Sequence, residues 1–240
     1  MDICLIGYGR MGHEIEQVAL SRGHNIVGRL ETGWEQLPHC NVAIEFTQPN
    51  QALNNITRVL QEGIPIVSGT TGWLKDFDEA VTEMDRNHGT FFYASNFSVG
   101  VYLFRQINRS LAKLMNRFPS YEPIVEEVHH IHKVDYPSGT ALTLANEMIE
   151  QLASKWESKA YLLPKEMPEN KQGELIIRSI RKDEVPGTHT IRYESGEDII
   201  EIKHEAKGRR GLALGAVLAA EFIQGKKGLY SMKDLINVSE

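Results

Sequence analysis

The chain has 240 residues, 41% hydrophobic and 24% charged, proportions that are ordinary for a globular protein large enough to bury a core. Its formal net charge of -6 argues against nucleic acid or an anionic membrane as the main partner, because both attract basic surfaces. We expect a cytoplasmic protein, since there is no secretory leader and no apolar run of roughly 18 residues, and Cys4 and Cys40 lie outside any metal or redox spacing.

The first hundred residues alternate short β-branched runs with helical stretches. Strand-like runs cover 2–6, 25–30, 42–46, 64–68 and 90–94, and helical spacing covers 10–21, 51–61 and 76–88. Strands that alternate with helices favour a parallel sheet covered on both faces. Right-handed crossovers would make it a doubly wound, Rossmann-like α/β domain.

The pattern changes near Val99. A helix is predicted at 101–117, a strand at 123–130, a helix after Ser138 as N-cap, a polar loop at 155–170, three consecutive strands at 174–181, 187–194 and 199–206, and an apolar helix at 211–224. Strands that follow one another without helices suggest a smaller α+β domain with a mostly antiparallel sheet. The last helix is too apolar to stand alone, and we expect it to pack back on the first domain.

A glycine-rich turn joins the first predicted strand to the first predicted helix. Residues 7–12 read Gly-Tyr-Gly-Arg-Met-Gly and match G-x-G-x-x-G. In this position Gly7 permits the tight turn, Gly9 lets the backbone approach a pyrophosphate, and Gly12 lets helix and strand pack closely. Glycine turns without a ligand also occur, but the strand, turn and helix together favour dinucleotide binding at the helix N-terminus.

The ribose-binding acid of such a domain is expected about 20 residues further on, at the end of the second strand. Glu31 holds this place and Thr32 follows it. Glu31 would accept hydrogen bonds from the ribose hydroxyls and repel a 2′-phosphate, and Thr32 offers no compensating charge. Arg29 is close in sequence but need not point the same way. A solvated glutamate is the alternative; the functional interpretation favours NADH, with NADPH possible.

The segment richest in side chains suited to catalysis is 129–133, which contains three histidines and a lysine. Metal binding is its weakest interpretation, because only His130 and His132 would share a face and no further ligand pattern follows. A proton donor beside a lysine suits a substrate with carboxylates that gains a proton on reduction. Residues 138–140 then begin a helix whose amides and hydroxyl can bind a carboxylate. The alternative is a solvated loop with incidental histidines.

Taken together, these motifs resemble the dihydrodipicolinate reductase (4-hydroxy-tetrahydrodipicolinate reductase) family. The segments that carry the resemblance are 9–12, 45–49, 69–72, 94–100, 129–141, 185–189 and 228–234. They span nearly the whole chain, and the histidine–lysine run is the most specific of them. The resemblance implies reduction of 4-hydroxy-tetrahydrodipicolinate by NAD(P)H in diaminopimelate and lysine biosynthesis, without a metal.

Carried over by position, the resemblance makes His129 the proton donor and Lys133 the second catalytic residue. It makes His130, Gly139 and Thr140 the binders of the substrate carboxylates. The residues that correspond to cofactor contacts, with Glu31 added from the ribose argument above, are Gly7, Tyr8, Gly9, Arg10, Met11, Gly12, Gly69, Thr70, Thr71, Ala94, Ser95, Asn96 and Phe97. The chain departs from the family at Ile6, where the glycine turn often begins, and at Thr32, where many relatives carry arginine.

The family's architecture implies a dinucleotide-binding domain at 1–97 and 209–240, and a substrate-binding and oligomerisation domain at 98–208. It also implies a homotetramer joined through the second domain. The alternative from a different class of function is a non-catalytic sensor of NADH and NAD⁺, which the fold alone does not exclude. The histidine–lysine run discriminates between them, because a sensor needs no proton donor.

Overall fold

The computed structural model describes residues 1–31, 33–152, 157–166 and 173–236, and Thr32 therefore lies outside the described residues. The chain divides into two compact units, Met1–Val99 with Arg209–Glu240, and Gly100–Gly208. In the described ranges no helix combines the length and apolar character that a membrane span needs.

The elements are numbered along the chain. The strands are β1 (Asp2–Ile6), β2 (Asn25–Leu30), β3 (Val42–Glu45), β4 (Ile66–Ser68), β5 (Thr90–Tyr93), β6 (Glu122–His129), β7 (Glu157–Leu163), β8 (Glu174–Arg181), β9 (Thr188–Glu194), β10 (Ile199–Glu205) and β11 (Gly228–Tyr230). The helices are α1 (Arg10–Ser21), α2 (Pro49–Gln61), α3 (Phe77–Arg86), α4 (Val99–Met115), α5 (Gly139–Gln151), α6 (Arg210–Phe222) and α7 (Met232–Ile236), with a 3₁₀ turn at Leu74–Asp76.

The first unit is built on a six-stranded sheet in the order β2-β1-β3-β4-β5-β11, with every pairing parallel. Helix α1 packs against α6, and α2 packs against α3. The predicted doubly wound parallel sheet is therefore confirmed. The strand order reverses at β1, and the carboxyl ends of strands beside such a point form the usual ligand crevice of this fold.

The central strands of this sheet are buried along their length. All residues of β3 are buried, as are four of the five in β1. This explains why both strands appear in the sequence as continuous apolar runs without alternation. Their side chains join a core with α2 and α3 that includes Ile6, Ala43, Ile56, Leu60 and Phe91.

The second unit contains a five-stranded sheet in the order β10-β9-β6-β8-β7. Helices α4 and α5 contribute to a core with one face of this sheet, including Val125, Leu144 and Ile177. The predicted α+β class is confirmed, but the sheet is mixed and not mostly antiparallel. The pairs β10–β9 and β9–β6 are antiparallel, whereas β6–β8 and β8–β7 are parallel. Consecutive strands β8 and β9 are not neighbours, because β6 lies between them.

The polar stretch predicted as a loop at 155–170 contains strand β7, so that prediction is wrong. Glu157 and Lys159 are exposed whereas Ser158 and Ala160 are half-buried, which is the alternation of a strand with one solvated side. Because β7 pairs with β8 alone, it is an edge strand of the sheet and carries no continuous apolar run. Within the same stretch, residues 155–156 and 167–170 lie outside the described residues.

Candidate active site

The glycine-rich turn has the backbone geometry expected from its sequence. Gly7 has φ +92°, and a Cβ there would lie 2.0 Å from the carbonyl oxygen of Phe46. A Cβ at Gly12 would lie 2.5 Å from the Gly7 carbonyl oxygen, whereas one at Gly9 would meet no atom within 4 Å. Gly7 and Gly12 are thus required by packing, and Gly9 leaves open space at the start of α1.

The start of α1 fits a dinucleotide phosphate. Gly9 is the N-cap of this helix, and within the described part of the chain no side chain caps it. Arg10 is exposed and Met11 is half-buried in the first turn. The first amide donors of a helix, together with its dipole, favour a phosphate at such a position.

The other predicted cofactor segments follow β4 and β5, so they lie at the same edge of the parallel sheet as the turn after β1. Gly69 packs so closely that a Cβ would lie 2.2 Å from the Phe46 ring, and Phe97 packs against Phe46 at 5.5 Å between ring centroids. Thr70 and Ala94 are buried, Asn96 is half-buried, and Thr71 and Ser95 are exposed. The structure therefore brings residues 7–12, 69–71 and 94–97 to one edge.

A buried carboxylate, which the sequence did not single out, joins two of the loops at this edge. Glu45, at the end of β3, accepts hydrogen bonds from Ser68 Oγ at 2.6 Å, Thr70 Oγ1 at 2.8 Å and the Thr47 N–H at 3.1 Å. It is 0% exposed. Glu45 thus fixes Thr70 relative to the loop that follows β3, and its place at the start of the 45–49 motif was the available signal.

Glu31 follows directly after β2 and is exposed. Arg29 is bound to another acid: its Nε donates to Glu16 Oε1 and Oε2 at 3.1 Å, and Arg29 lowers the pKa of the Glu16 carboxyl. The hydroxyl of Tyr8 also donates to Glu16, and the Arg29 guanidinium lies 5.7 Å from the Tyr8 ring centroid. The Arg29 guanidinium, which is the positive charge nearest to Glu31 along β2, is therefore neutralised by the Glu16 carboxylate on α1.

In the second unit, strand register brings a buried carboxylate against the predicted proton donor. Glu127 on β6 lies opposite Ser179 on β8 and His189 on β9. Residues two apart in a strand share a face, so His129 lies on the same side as Glu127. His129 Nδ1 is 3.2 Å from Glu127 Oε2, which is within ion-pair distance, but the two atoms do not form a well-aligned hydrogen bond. Glu127 is 0% and His129 8% exposed.

Hydrogen bonds from two further elements hold the Glu127 carboxylate. The Ser138 N–H lies 3.1 Å from each oxygen, and Ser179 Oγ donates to Oε1 at 2.7 Å. Burial alone would raise the pKa of Glu127, but the contacts with His129, Ser138 and Ser179 outweigh it and lower this pKa to about 2. Glu127 is therefore ionised at neutral pH.

His189 is neutral beside this carboxylate. Burial, and then repulsion from His129, lowers the pKa of His189 to about 4. Its Nε2 lies 3.1 Å from Ser138 Oγ and 3.9 Å from Glu127 Oε2. His189 therefore adds a polar contact to the start of α5 without adding a charge at neutral pH.

Glu127, His129 and His189 offer ligand atoms that all lie within 4.8 Å of one another. The oxygens of Glu127 are engaged by N–H and O–H donors, and Nε2 of His189 is engaged by Ser138. These contacts favour a hydrogen-bonded proton site over a metal centre. That no metal takes part stays an expectation.

Lys133 is held in an ordered loop next to His129. Its Nζ donates to Asp135 Oδ2 at 2.7 Å, and this contact lowers the pKa of Asp135. Arg181, which lies opposite His129 in the register of β8, donates to the carbonyl oxygens of Lys133 at 3.1 Å and Asp135 at 2.8 Å. The Lys133 side chain is 18% and that of Asp135 70% exposed, so the ion pair has one solvated partner.

The predicted carboxylate-binding turn is the N-terminus of α5. Ser138 caps this helix by accepting a hydrogen bond from the Ala141 N–H at 3.1 Å, which confirms the predicted cap. Gly139 is exposed and Thr140 half-buried in the first turn. His130 is half-buried with an unpartnered Nδ1 among the described residues. The turn and His130 thus present polar groups that a substrate anion could use.

Sequence reasoning missed Glu127, Ser179, Arg181 and His189 as parts of this site. Each is brought to His129 by strand register, and register cannot be read from sequence until the order of the strands is known. The available signal was the position of Glu127 two residues before His129 in a strand-like run, which predicts a shared face.

Comparisons with known proteins agree for both units. The family model described as "Dihydrodipicolinate reductase, N-terminus" matches residues 30–97, and "Dihydrodipicolinate reductase, C-terminus" matches 100–236. A 4-hydroxy-tetrahydrodipicolinate reductase of Christiangramia forsetii is 44% identical over 99% of this chain and 98% of its own length. Another, from Ralstonia pickettii, is 32% identical over 84% of this chain and 76% of its own length.

The fold is shared with a solved member of the same family. The dihydrodipicolinate reductase of Paenisporosarcina sp. TG-14, solved with dipicolinate bound, superposes with a TM-score of 0.71. The two chains are 20% identical, and the superposition covers 99% of each. At this identity the likeness concerns the fold.

Proposed function

The chain belongs to the dihydrodipicolinate reductase family, and we propose that its two units divide the reaction between cofactor binding and proton donation. Its activity is the reduction of 4-hydroxy-tetrahydrodipicolinate by a nicotinamide cofactor in diaminopimelate and lysine biosynthesis. Family membership thus decides against the alternative of a non-catalytic sensor. The finer assignments that follow are ours.

We assign dinucleotide binding to residues 1–97 and 209–240, and substrate binding to 98–208. The open space at Gly9 and the uncapped start of α1 support this for the first segment. Reduced nicotinamide, when bound, would supply a hydride to the substrate ring, and reduction to tetrahydrodipicolinate also requires that the 4-hydroxyl leaves as water. Residues 7–12, 69–71, 94–97 and Glu31 would hold and orient the cofactor.

His129 would complete the reduction by giving a proton to the ring. The observation that supports this most directly is the position of the ionised, buried Glu127, whose Oε2 lies 3.2 Å from His129 Nδ1, because a carboxylate at one ring nitrogen orients a histidine and leaves the other nitrogen for proton transfer. A proton donor placed in this way contributes about 10²–10⁴-fold to a rate.

Lys133, His130, Gly139 and Thr140 would bind the carboxylates of the cyclic substrate. Lys133 is paired with an exposed Asp135, and pairs that reach solvent contribute little free energy, so a substrate carboxylate can replace this partner at small cost. The N-terminus of α5 offers amide donors and a favourable dipole to a second carboxylate.

Replacement of His129 by Gln tests the proposal. We expect normal folding and NADH binding, little change in KM and a kcat lowered by about 10²–10⁴-fold. His132→Gln is the matched control, because His132 is exposed and contacts Glu184 at 3.0 Å; it should behave as wild type. Equal rates for His129→Gln and wild type would remove His129 from the mechanism.

We propose NADH as the preferred cofactor, with NADPH accepted more weakly. Glu31 is exposed at the end of β2, and Arg29 is engaged by Glu16, so a 2′-phosphate would meet a negative charge without a ready cation. A steady-state comparison of kcat/KM for the two cofactors, with enzymatically generated substrate, tests this directly.

We also propose that the protein is cytoplasmic and forms a homotetramer through the second unit. Cys4 and Cys40 are free and buried, which suits a reducing compartment. Strand β10 is an edge strand on which Ile199 is 51% exposed, and an exposed apolar edge is suited to association with another copy.

A further inference from the structure

We infer that Glu127 is a positioning residue: its buried negative charge acts on the ring of His129 and, through Ser138, it fixes the turn at the start of α5. This inference rests on the proposed role of His129 as proton donor. Glu127 itself has no assigned part in the reaction, and its carboxylate is shielded from solvent.

The first support is geometric. Glu127 Oε2 lies 3.2 Å from His129 Nδ1, so this ring nitrogen faces the carboxylate. The other ring nitrogen lies toward Gly187, where an added Cβ would be 3.1 Å from His129 Nε2. A side chain at 187 would crowd Nε2, which glycine avoids, and we assign Nε2 as the nitrogen that meets the substrate.

The second support is the charge around His129. Arg181 lies opposite His129 on β8, the ring of His189 on β9 is 5.2 Å from that of His129, His204 on β10 lies beyond His189, and the adjoining loop supplies Lys133. All of these groups are positive or neutral. Lys133 is offset by its exposed partner, Asp135. Within the described residues, Glu127 is the buried anion that lies directly against the His129 ring.

The third support is the link to substrate binding. The Ser138 N–H that binds Glu127 belongs to the residue that caps α5, and Gly139 and Thr140 follow in the first turn. One carboxylate therefore holds both the proton donor and the turn proposed to bind a substrate carboxylate. Loss of its charge should affect the donor, and loss of its hydrogen bonds should affect the turn.

Glu127→Gln separates the two roles, because glutamine keeps the shape and one acceptor oxygen but loses the charge. We expect the upper pH limit of kcat/KM to move down by about 1–3 pH units, since the substitution removes the negative charge beside the proposed proton donor. Glu127→Asp restores the charge and should return this limit toward the wild-type value. Ser179→Ala removes one hydrogen bond to Glu127 without removing charge, so it should lower stability and leave the limit unchanged.

A measurement that needs no turnover distinguishes this inference from the proposed function. The ring resonance of His129 can be assigned by its loss in His129→Gln, and its midpoint can be followed with pH in wild type, Glu127→Gln and Glu127→Asp. A lower midpoint in Glu127→Gln alone supports the inference. The same midpoint in all three overturns it, even if Glu127→Gln is less active. A fully active His129→Gln overturns the proposed function instead.

Discussion

At the scale of single residues, side chains proposed to bind the substrate can exchange a present partner for a ligand. Lys133 is the clearest case, because its ion pair with Asp135 has one end in solvent, while Arg181 fixes the backbone on both sides of the pair. The loop is thus ordered before substrate arrives, and only a weak side-chain contact has to change.

Lys133→Ala should therefore lower kcat, and raise KM for the substrate, while NADH affinity stays nearly intact. The reason is that, in the proposed role, this lysine would bind a substrate carboxylate next to the α5 turn and would have no part in binding the pyrophosphate. NADH affinity is read from a fluorescence titration and turnover from steady-state rates. Lys182→Ala, at a neighbouring exposed lysine, is the control. A fall in NADH affinity as large as the fall in turnover would contradict the assignment.

The proposed preference for NADH also depends on single residues. Thr32→Arg should raise kcat/KM for NADPH more than for NADH, because a guanidinium beside Glu31 can bind a 2′-phosphate bidentately. A close like-charge contact is worth on the order of 1–3 kcal/mol, so the wild type should prefer NADH by roughly tenfold. A wild-type preference for NADPH would refute this interpretation of Glu31 and Thr32 and leave the reductase activity unaffected.

Sequence alone predicted the residues that a motif demands, and it missed the partners that the fold supplies. Gly7 and Gly12 were predictable because turn and packing geometry exclude a side chain there. His129 was predictable because its run is chemically unusual. The contact between Glu127 and His189 was not predictable, because it forms only when β6 pairs with β9.

At the scale of elements, α6 supports a predicted cofactor segment from a distant part of the chain. A Cβ at Gly215 would lie 1.7 Å from the carbonyl oxygen of Phe97, so glycine lets this helix touch the 94–97 segment. Gly211, in the same helix, would place a Cβ in open space. The helix thus carries one glycine that packing requires and one that it does not.

Gly215→Ala should destabilise the protein by about 1–3 kcal/mol, the usual cost of overpacking a close contact, and weaken NADH binding as the 94–97 segment shifts. Gly211→Ala should leave stability unchanged or raise it by up to about 1 kcal/mol, because alanine favours a helix over glycine. Thermal midpoints with and without NADH measure both effects. Equal thermal midpoints for the two variants would show that the protein accommodates a Cβ next to the Phe97 carbonyl without loss of stability.

The elements that sequence mispredicted were those whose pattern depends on their neighbours. Strand β7 is polar on its solvated side because it pairs with β8 alone. The mixed sheet was not predicted for a related reason. Strands β8 and β9 follow one another along the chain, but β6 lies between them in the sheet. Local propensity reflects a strand's own residues and does not specify which strand lies beside it.

At the scale of the whole molecule, the second sheet has one face packed by helices and one that is more open. Ile202 of β10 packs on the core with α4 and α5, whereas Ile199, Glu201 and Lys203 alternate with it and are exposed. An open sheet face with an exposed isoleucine at its edge is a surface on which further copies could pack.

Ile199→Lys should therefore reduce the proposed tetramer to smaller species, because it places a charge in the contact. Leu229→Lys, at a residue of similar exposure in the first unit, should leave the assembly intact. Sedimentation velocity gives the mass of each species. A wild-type monomer would refute the tetramer, and an unchanged mass for Ile199→Lys would place the interface elsewhere.

The discontinuous first unit has a consequence for synthesis on the ribosome. Strand β11 completes the sheet by pairing with β5, and α6 packs on α1, but residues 100–208 are translated between these partners. At roughly 5–20 residues per second, the outer edge of β5 stays unpaired for about 7–27 s after it emerges, until β11 follows it. All strands of the inserted unit are translated before β11 emerges, so this unit can fold first. The nascent first unit would meanwhile expose an apolar strand edge, and chaperone dependence should be greatest during that interval.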